Sequence, residues 1–379
     1  MITLKGITGE NPAGYDALVA ASKLYEEQFG VQVAWQKRAP GNLGDQSLHA
    51  LAAQFDLLMI DYAQVGIASE KNCLSPLEDL LTYEALQQLE QQSAGPGFLS
   101  YYYQQKQWAL PVEAMVQCAA SRPDLLGELA IPETWEEVFE LTELLKQREL
   151  QIGMALCPKD CVCTFLSLTA QFGSSVRENN YLLTSKDVGI QALELMRTMR
   201  DNFHPGSLAW NPVQLYDHMA AQDDVAYSPL SFGYGNYSRQ GYSKNQLHFH
   251  NAPWMKNVVS GGQGIAISSL GGHTKEAAAF AAWLCSAAIQ GSVYINANGQ
   301  PGNIIAWKED AANALTNNFF NNTIDTLTYA YVRPRYSGWP AFQQWLGEAL
   351  HRYLKDDLNS ENTMNQLQEG YAASYGNTL

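Results

Sequence analysis

Glu113 is a lone carboxylate in an otherwise apolar run, Trp108-Ala109-Leu110-Pro111-Val112-Glu113-Ala114-Met115-Val116, which the amide Gln117 follows. A buried charge without donors is prohibitive, so this side chain needs either a lysine or arginine beside it or hydroxyls brought by a ligand. Planar carboxylates and amides suit vicinal hydroxyls, and aromatic faces suit the apolar side of a ring. Tyr234, Tyr237 and Trp339 are the aromatic candidates, each open to the alternative of core packing.

Other candidates lie where strands end. Asp61 and Tyr62 follow an apolar run at its carboxyl edge, where Asp61 either faces a ligand or caps the segment beginning at Ala63. Thr8, Glu10 and Asn11 occupy the first strand-to-helix loop, beside the free amides of a helix N-terminus, although Glu10 reads equally as a solvated charge. Lys37 and Arg38 are either an anion-binding pair or a solvated surface pair. Arg333 and Arg335 project to one side of an extended stretch around Pro334 and either clamp an anion or bridge two lobes.

Signals for metal or covalent chemistry are weak. His248 and His250 share a strand face without a third ligand at metal spacing, and Cys157, Cys161 and Cys163 lack the paired spacing of a structural zinc site. No G-x-S-x-G elbow, P-loop or H-E-x-x-H occurs. Cys161 or Cys163 with a nearby histidine is the one nucleophile pairing to weigh. Neither a cofactor nor a metal is expected.

These residues need a scaffold. Strand 2–6, helix 15–29 closed by Gly30, strand 31–35, a helix at 46–54 and the apolar strand 55–61 alternate as a doubly wound parallel sheet does. Sites in such sheets lie beyond the carboxyl ends of the strands. Helices are expected at 134–147, 163–171, 185–203 and 274–289, and 226–238 reads as a glycine- and aromatic-rich loop. The stretch 306–379 reads as further helices, with 331–339 as a loop before one of them.

At 379 residues the chain is long for one core and suits two. A formal charge of −15 argues against nucleic acid and anionic membranes, both of which require a basic footprint. No apolar run approaches the roughly 18 residues that a bilayer needs. The start Met1-Ile2-Thr3-Leu4-Lys5-Gly6 enters a strand without a leader, so either an export signal has been removed or the protein stays in the cytoplasm. The six cysteines read mostly as small buried hydrophobes, with a disulfide among the 157–163 group as the alternative in an oxidising compartment.

The motif order adds to this reading. Lys106 to Glu113 resembles a "G-K-x-Y-x-L-P-x-E" strand, and Pro132-Glu133-Thr134-Trp135-Glu136-Glu137 resembles a "P-x-T-W-E-E" helix start. Glu26 to Val33 is similar to "E-F-x-x-x-x-G-I-x-V". Phe55 to Asp61, with Cys73-Leu74-Ser75-Pro76-Leu77, is similar to "x-D-L-x-x-x-D … L-x-P-L". Gly261-Gly262, Lys275-Glu276-Ala277-Ala278 with Trp283-Leu284, and Gly299-Gln300-Pro301 follow in order, while Arg122-Pro123-Asp124 departs from the usual turn. In this order the chain resembles extracellular solute-binding protein family 1, the sugar-type substrate-binding subunits of ABC importers similar to maltose-binding protein.

The resemblance implies an α/β fold of two lobes, each a sheet flanked by helices, with a ligand cleft between them. Residues 1–110 and 262–305 would form the first lobe, and 111–261 and 306–379 the second. It also implies a sugar-facing wall at 226–238 and a monomer at the cell surface or in the periplasm that captures a sugar, polyol or sugar acid by hinge closure. The implied partners are ABC permease transmembrane subunits. Gln117, Cys161 at the second-lobe cleft wall, Gly261 and Gly262 complete the ligand-binding candidates. The rival reading is a cytoplasmic sensor or enzyme of the same fold acting on a small anionic metabolite.

Overall fold

The alternation at Ile2-Thr3-Leu4 and Val31-Gln32-Val33 becomes two parallel strands, Ile2–Thr8 and Val31–Lys37, in register from Ile2 opposite Val31 to Thr8 opposite Lys37. In the computed structural model, which describes residues 2–9, 12–38, 47–178 and 181–376, the chain forms two compact units. The first comprises Met1–Ala114, Gly261–Ala312 and Arg335–Ser337, and the second Met115–Ser260, Asn313–Pro334 and Gly338–Leu379.

In the first unit a five-stranded sheet runs in the order Val31–Lys37, Ile2–Thr8, Leu57–Ile60, Gly264–Ile267, Leu110–Pro111. The first three strands are parallel, and Gly264–Ile267 enters antiparallel between its two neighbours. Leu57–Ile60 is buried throughout, as an interior strand covered on both faces must be. Its core joins Leu4, Leu18, Tyr25, Leu57, Leu110 and Ile265 to Phe280 and Leu284 of the Thr274–Leu284 helix.

No single helix among the described residues is long and apolar enough to cross a membrane. The bent pair Thr274–Leu284 and Ala287–Tyr294, which together carry enough apolar length, turn by 59°. The 274–289 helix expected from sequence therefore stops at Leu284, and a π-turn at Gln290–Tyr294 follows the short Ala287–Ile289 segment.

In the second unit the sheet order is His248–His250, Met115–Ser121, Val225–Phe232, Gln151–Ile152. The stretch expected as a loop at 226–238 is mostly this Val225–Phe232 strand. Its register against Met115–Ser121 shifts between Cys118 and Ala120, next to Pro229, which has no N–H to donate.

The helix expected at 163–171 begins earlier, at Pro158, and runs to Gln171 with Cys157 extended at the N-cap and proline in the first turn. The 134–147 helix is observed as Trp135–Lys146. Thr134 accepts the Glu137 amide at 3.2 Å while the Glu137 carboxylate accepts the Glu133 amide at 2.7 Å.

Candidate functional site

The Glu113 backbone is clamped from two sides within the first unit. Val112 and Glu113 both donate N–H to the Gln263 carbonyl at 3.0 Å, and Glu113 bridges to Pro301. Gln300 Nε2 donates to the Ala114 carbonyl at 2.9 Å, and Gly302 N–H to the Val112 carbonyl at 2.9 Å. The Pro301 carbonyl in turn accepts Trp307 Nε1 at 2.6 Å. Glu113 thus lies not within a strand but in the link between Leu110–Pro111 and Met115–Ser121. The hydrogen bonds from distant segments that hold this link suit a group that must present one fixed side chain.

The Glu113 side chain is the opposite of its backbone in partnership. It is half-buried, yet it makes no hydrogen bond or ion pair with any described residue, so neither a lysine nor an arginine neutralises it. Burial pushes its carboxyl up to about 7. The same charge, after burial itself, helps raise the buried Tyr294 hydroxyl nearby. Acceptor oxygens without donors among the described residues, on a backbone held by these hydrogen bonds, can receive hydroxyl donors from a ligand.

Other first-unit candidates have protein partners. Thr8 is buried, and its carbonyl accepts the Arg38 amide at 2.9 Å. Asp61 caps the Tyr62–Gln64 turn by accepting the Ala63 amide at 2.9 Å, and Tyr62 is buried edge-to-face with Tyr101. The exposed Lys37 ammonium lies 4.1 Å from the Tyr15 ring centroid. Arg38 donates to the Met59 carbonyl, and burial lowers its pKa. Arg335 donates to the carbonyls of Leu99, Ser100 and Tyr102 at 2.8, 3.2 and 2.8 Å. It therefore closes the end of the Gly97–Ser100 turn. Gly261 opens the segment that returns to this unit, and Gly262 packs against the Glu113 backbone. Glu10 and Asn11 lie outside the described residues.

In the second unit, Gln117 Oε1 accepts Ser167 Oγ at 2.5 Å, and the same hydroxyl accepts the Val259 amide at 2.8 Å. Cys161 is fully buried and donates Sγ to the Leu156 carbonyl at 3.0 Å; burial raises its thiol pKa well above the ordinary value, away from a nucleophilic thiolate. All six cysteines are free thiols. Tyr237 is buried with its hydroxyl on Asp217 at 2.6 Å. Trp339 is fully buried beside Phe342, with Nε1 on Gln343 at 3.0 Å, and Arg333 reaches the same Gln343 oxygen at 2.8 Å. Tyr234 is the candidate aromatic that stays half-buried, packed edge-to-face 6.4 Å from Tyr216. A Cβ on the preceding Gly233 would stand 2.6 Å from Cys118 Sγ and 3.0 Å from the Phe319 ring, so glycine brings the chain in close before Tyr234.

Asp160 is a buried acid that the sequence reading did not single out. It sits in the first turn of Pro158–Gln171, is buried, and accepts Cys157 Sγ at 3.0 Å. Burial pushes it up to about 6 against the lowering effects of that thiol and of Lys159. Burial first, and then the neighbouring Cys118, Tyr234, Tyr237 and Asp160, raise the Tyr216 hydroxyl well above its ordinary value. The signal available was Pro158 followed by an acid two residues later, a helix-start pattern.

Comparison with known proteins places this geometry in a family. Curated protein sequences give no match. Among solved structures, the maltose-bound MalE3 of T. maritima has a TM-score of 0.83 at 17% identity, covering 98% of this chain and 99% of that one. An ABC transporter solute-binding protein from Agrobacterium radiobacter K84 in complex with ribitol has a TM-score of 0.83 at 19% identity, covering 98% of each chain. One from Thermotoga lettingae TMO bound with alpha-D-tagatose has a TM-score of 0.80 at 18% identity, covering 99% of this chain and 100% of that one. At such identity these likenesses establish the fold, a two-lobed α/β architecture with helices flanking the sheets. The family profile described as "Bacterial extracellular solute-binding protein" matches residues 20–304, three-quarters of the chain and the stretch that carries Glu113, so this protein belongs to the bacterial extracellular solute-binding proteins.

Proposed function

We propose that this protein is the substrate-binding component of an ABC importer and captures a carbohydrate or related polyol by hinge closure of its two lobes. The observation that carries the reading is the Glu113 carboxylate, half-buried and without a hydrogen-bond donor among the described residues, on a backbone segment held by several hydrogen bonds. Hydroxyl donors of a polyol would complete its hydrogen bonding, and a half-buried ring such as Tyr234 would suit the apolar face of a sugar. Closure then requires only that the ligand bind the closed form more tightly than the open one.

A neutral ligand is favoured because the basic candidates already hold protein groups: Arg335 three carbonyls, Arg333 Gln343, Arg38 the Met59 carbonyl. Family membership supports a periplasmic or cell-surface location and delivery to permease transmembrane subunits. A thermal-shift screen over sugars, polyols, sugar acids and sugar phosphates tests the reading, since a ligand selective for the native state raises Tm by mass action. A shift with neutral sugars or polyols supports it. A response confined to the anionic compounds overturns it in favour of a small-anion ligand.

A further inference from the structure

Away from these residues, the second unit carries a cluster of two imidazoles and a carboxylate. His204 follows the Lys186–Asn202 helix, His218 lies in the Pro212–Ala221 helix, and Asp224 immediately precedes the Val225–Phe232 strand. One ligand atom from each lies within 4.8 Å of the other two, and all three side chains are half-buried. Asp224 Oδ1 is 2.8 Å from His218 Nε2, and Asp224 Oδ2 is 3.4 Å from His204 Nε2. The edge of a tetrahedron with metal–nitrogen and metal–oxygen bonds of about 2.0–2.2 Å is about 3.3–3.6 Å, so small side-chain shifts reach that spacing.

Trp210 holds both rings in place, stacked on His204 at 4.6 Å and 11° and packed on His218 at 4.5 Å. We propose that His204, His218 and Asp224 form a binding site for a divalent transition cation of the zinc type, with a fourth position open to water. Two imidazoles and one carboxylate are the donor set that such a cation prefers over calcium or magnesium, which favour all-oxygen shells. The protein's formal charge of −15 favours cation capture in general, and the three ligands come from separate elements, so a bound ion would staple them together.

Loading has a local consequence. His204 Nδ1 accepts the Gly206 amide at 3.0 Å, which leaves the ring proton on Nε2, facing Asp224. A cation on Nε2 moves that proton to Nδ1, and the Gly206 amide must then release its bond.

Isothermal titration of the ligand-free protein with Zn2+, with Co2+ as a spectroscopic probe, tests the site. The expected result is one ion per chain, ligand-field bands without sulfur-to-cobalt charge transfer, and a shifted Gly206 amide resonance. His218→Gln and Asp224→Asn, which keep size and hydrogen-bonding capacity, should each weaken Zn2+ more than the ~10–100-fold typical of outer-shell changes. Absence of saturable binding by the unaltered protein overturns the proposal, as does a sulfur charge-transfer band or full retention of affinity in both variants. The wild-type titration and spectrum need no variant, so a poorly folded substitution does not block the test.

Discussion

A Cβ built on Gly262 would stand 2.0 Å from the Glu113 carbonyl oxygen, and Gly262 has a φ of +120°. The two backbones touch where the returning segment passes the link that bears the carboxylate, and only a glycine fits there. Gly262→Ala should therefore lower stability by about 1–3 kcal/mol and weaken ligand binding in parallel, because the backbone that aims Glu113 must move. Chemical denaturation and calorimetry on one preparation check both, and unchanged affinity would separate Glu113 from the binding role.

Glu113→Gln removes the charge and keeps the shape. Loss of one charge-assisted hydrogen bond should cost about 1.5–3 kcal/mol of ligand affinity, with no loss of stability. A collapsed Tm with intact affinity would assign the side chain a structural role instead.

The same residue makes the ligand-free protein sensitive to pH. Its folded value of about 7 lies above the usual 4.5, so the native state holds the proton more tightly than the unfolded chain. This contribution is fully present below about 4.5 and lost as pH rises through about 7. Denaturation midpoints of the wild type minus those of Glu113→Gln should fall across that window; a flat difference would mean that the carboxylate is solvated.

Tyr234 and Trp339 should separate by readout. Trp339→Ala opens a cavity in a buried site and should cost about 3–5 kcal/mol of stability. Tyr234→Ala should cost little stability and about 1.5–3 kcal/mol of affinity for a neutral sugar.

Arg335→Ala should destabilise the first unit by about 1–3 kcal/mol by stripping donors from the carbonyls of residues 99, 100 and 102. Ligand affinity should remain, with little dependence on salt. Binding that vanishes in this variant and falls steeply with ionic strength would point to an anion.

These contrasts mark what the sequence could and could not show. The strand-helix-strand order of the first unit was legible because its period-2 alternation and buried apolar run are local signals. The helix start at Thr134 was legible from the local run Pro132 to Glu137. The Val225–Phe232 strand was obscured by Pro229 and the glycines that follow it, which imitate a loop. Glu113 stood out because its oddity is written in its neighbours. What occupies Arg335 could not be read, because its carbonyl partners lie more than 230 residues away in sequence. Gln117 is similar: its hydroxyl partner Ser167 comes from a helix 50 residues on.

The place of Gly264–Ile267 in its sheet, between Leu57–Ile60 and Leu110–Pro111, sets an order of events during synthesis. The other four strands of this sheet are all made by Pro111, yet Gly264–Ile267, which joins them, follows only after roughly 150 further residues, or about 8–30 s at ribosomal rates. The second unit's sheet takes its own last strand, Ser260–Gly261 on Met115–Ser121, only just before Gly264–Ile267, so both sheets wait for nearly the same stretch of chain. Nascent chains whose residues through Ile267 have not yet left the ribosome should thus keep the first sheet cleavable, with its protection appearing only once Ile267 is outside.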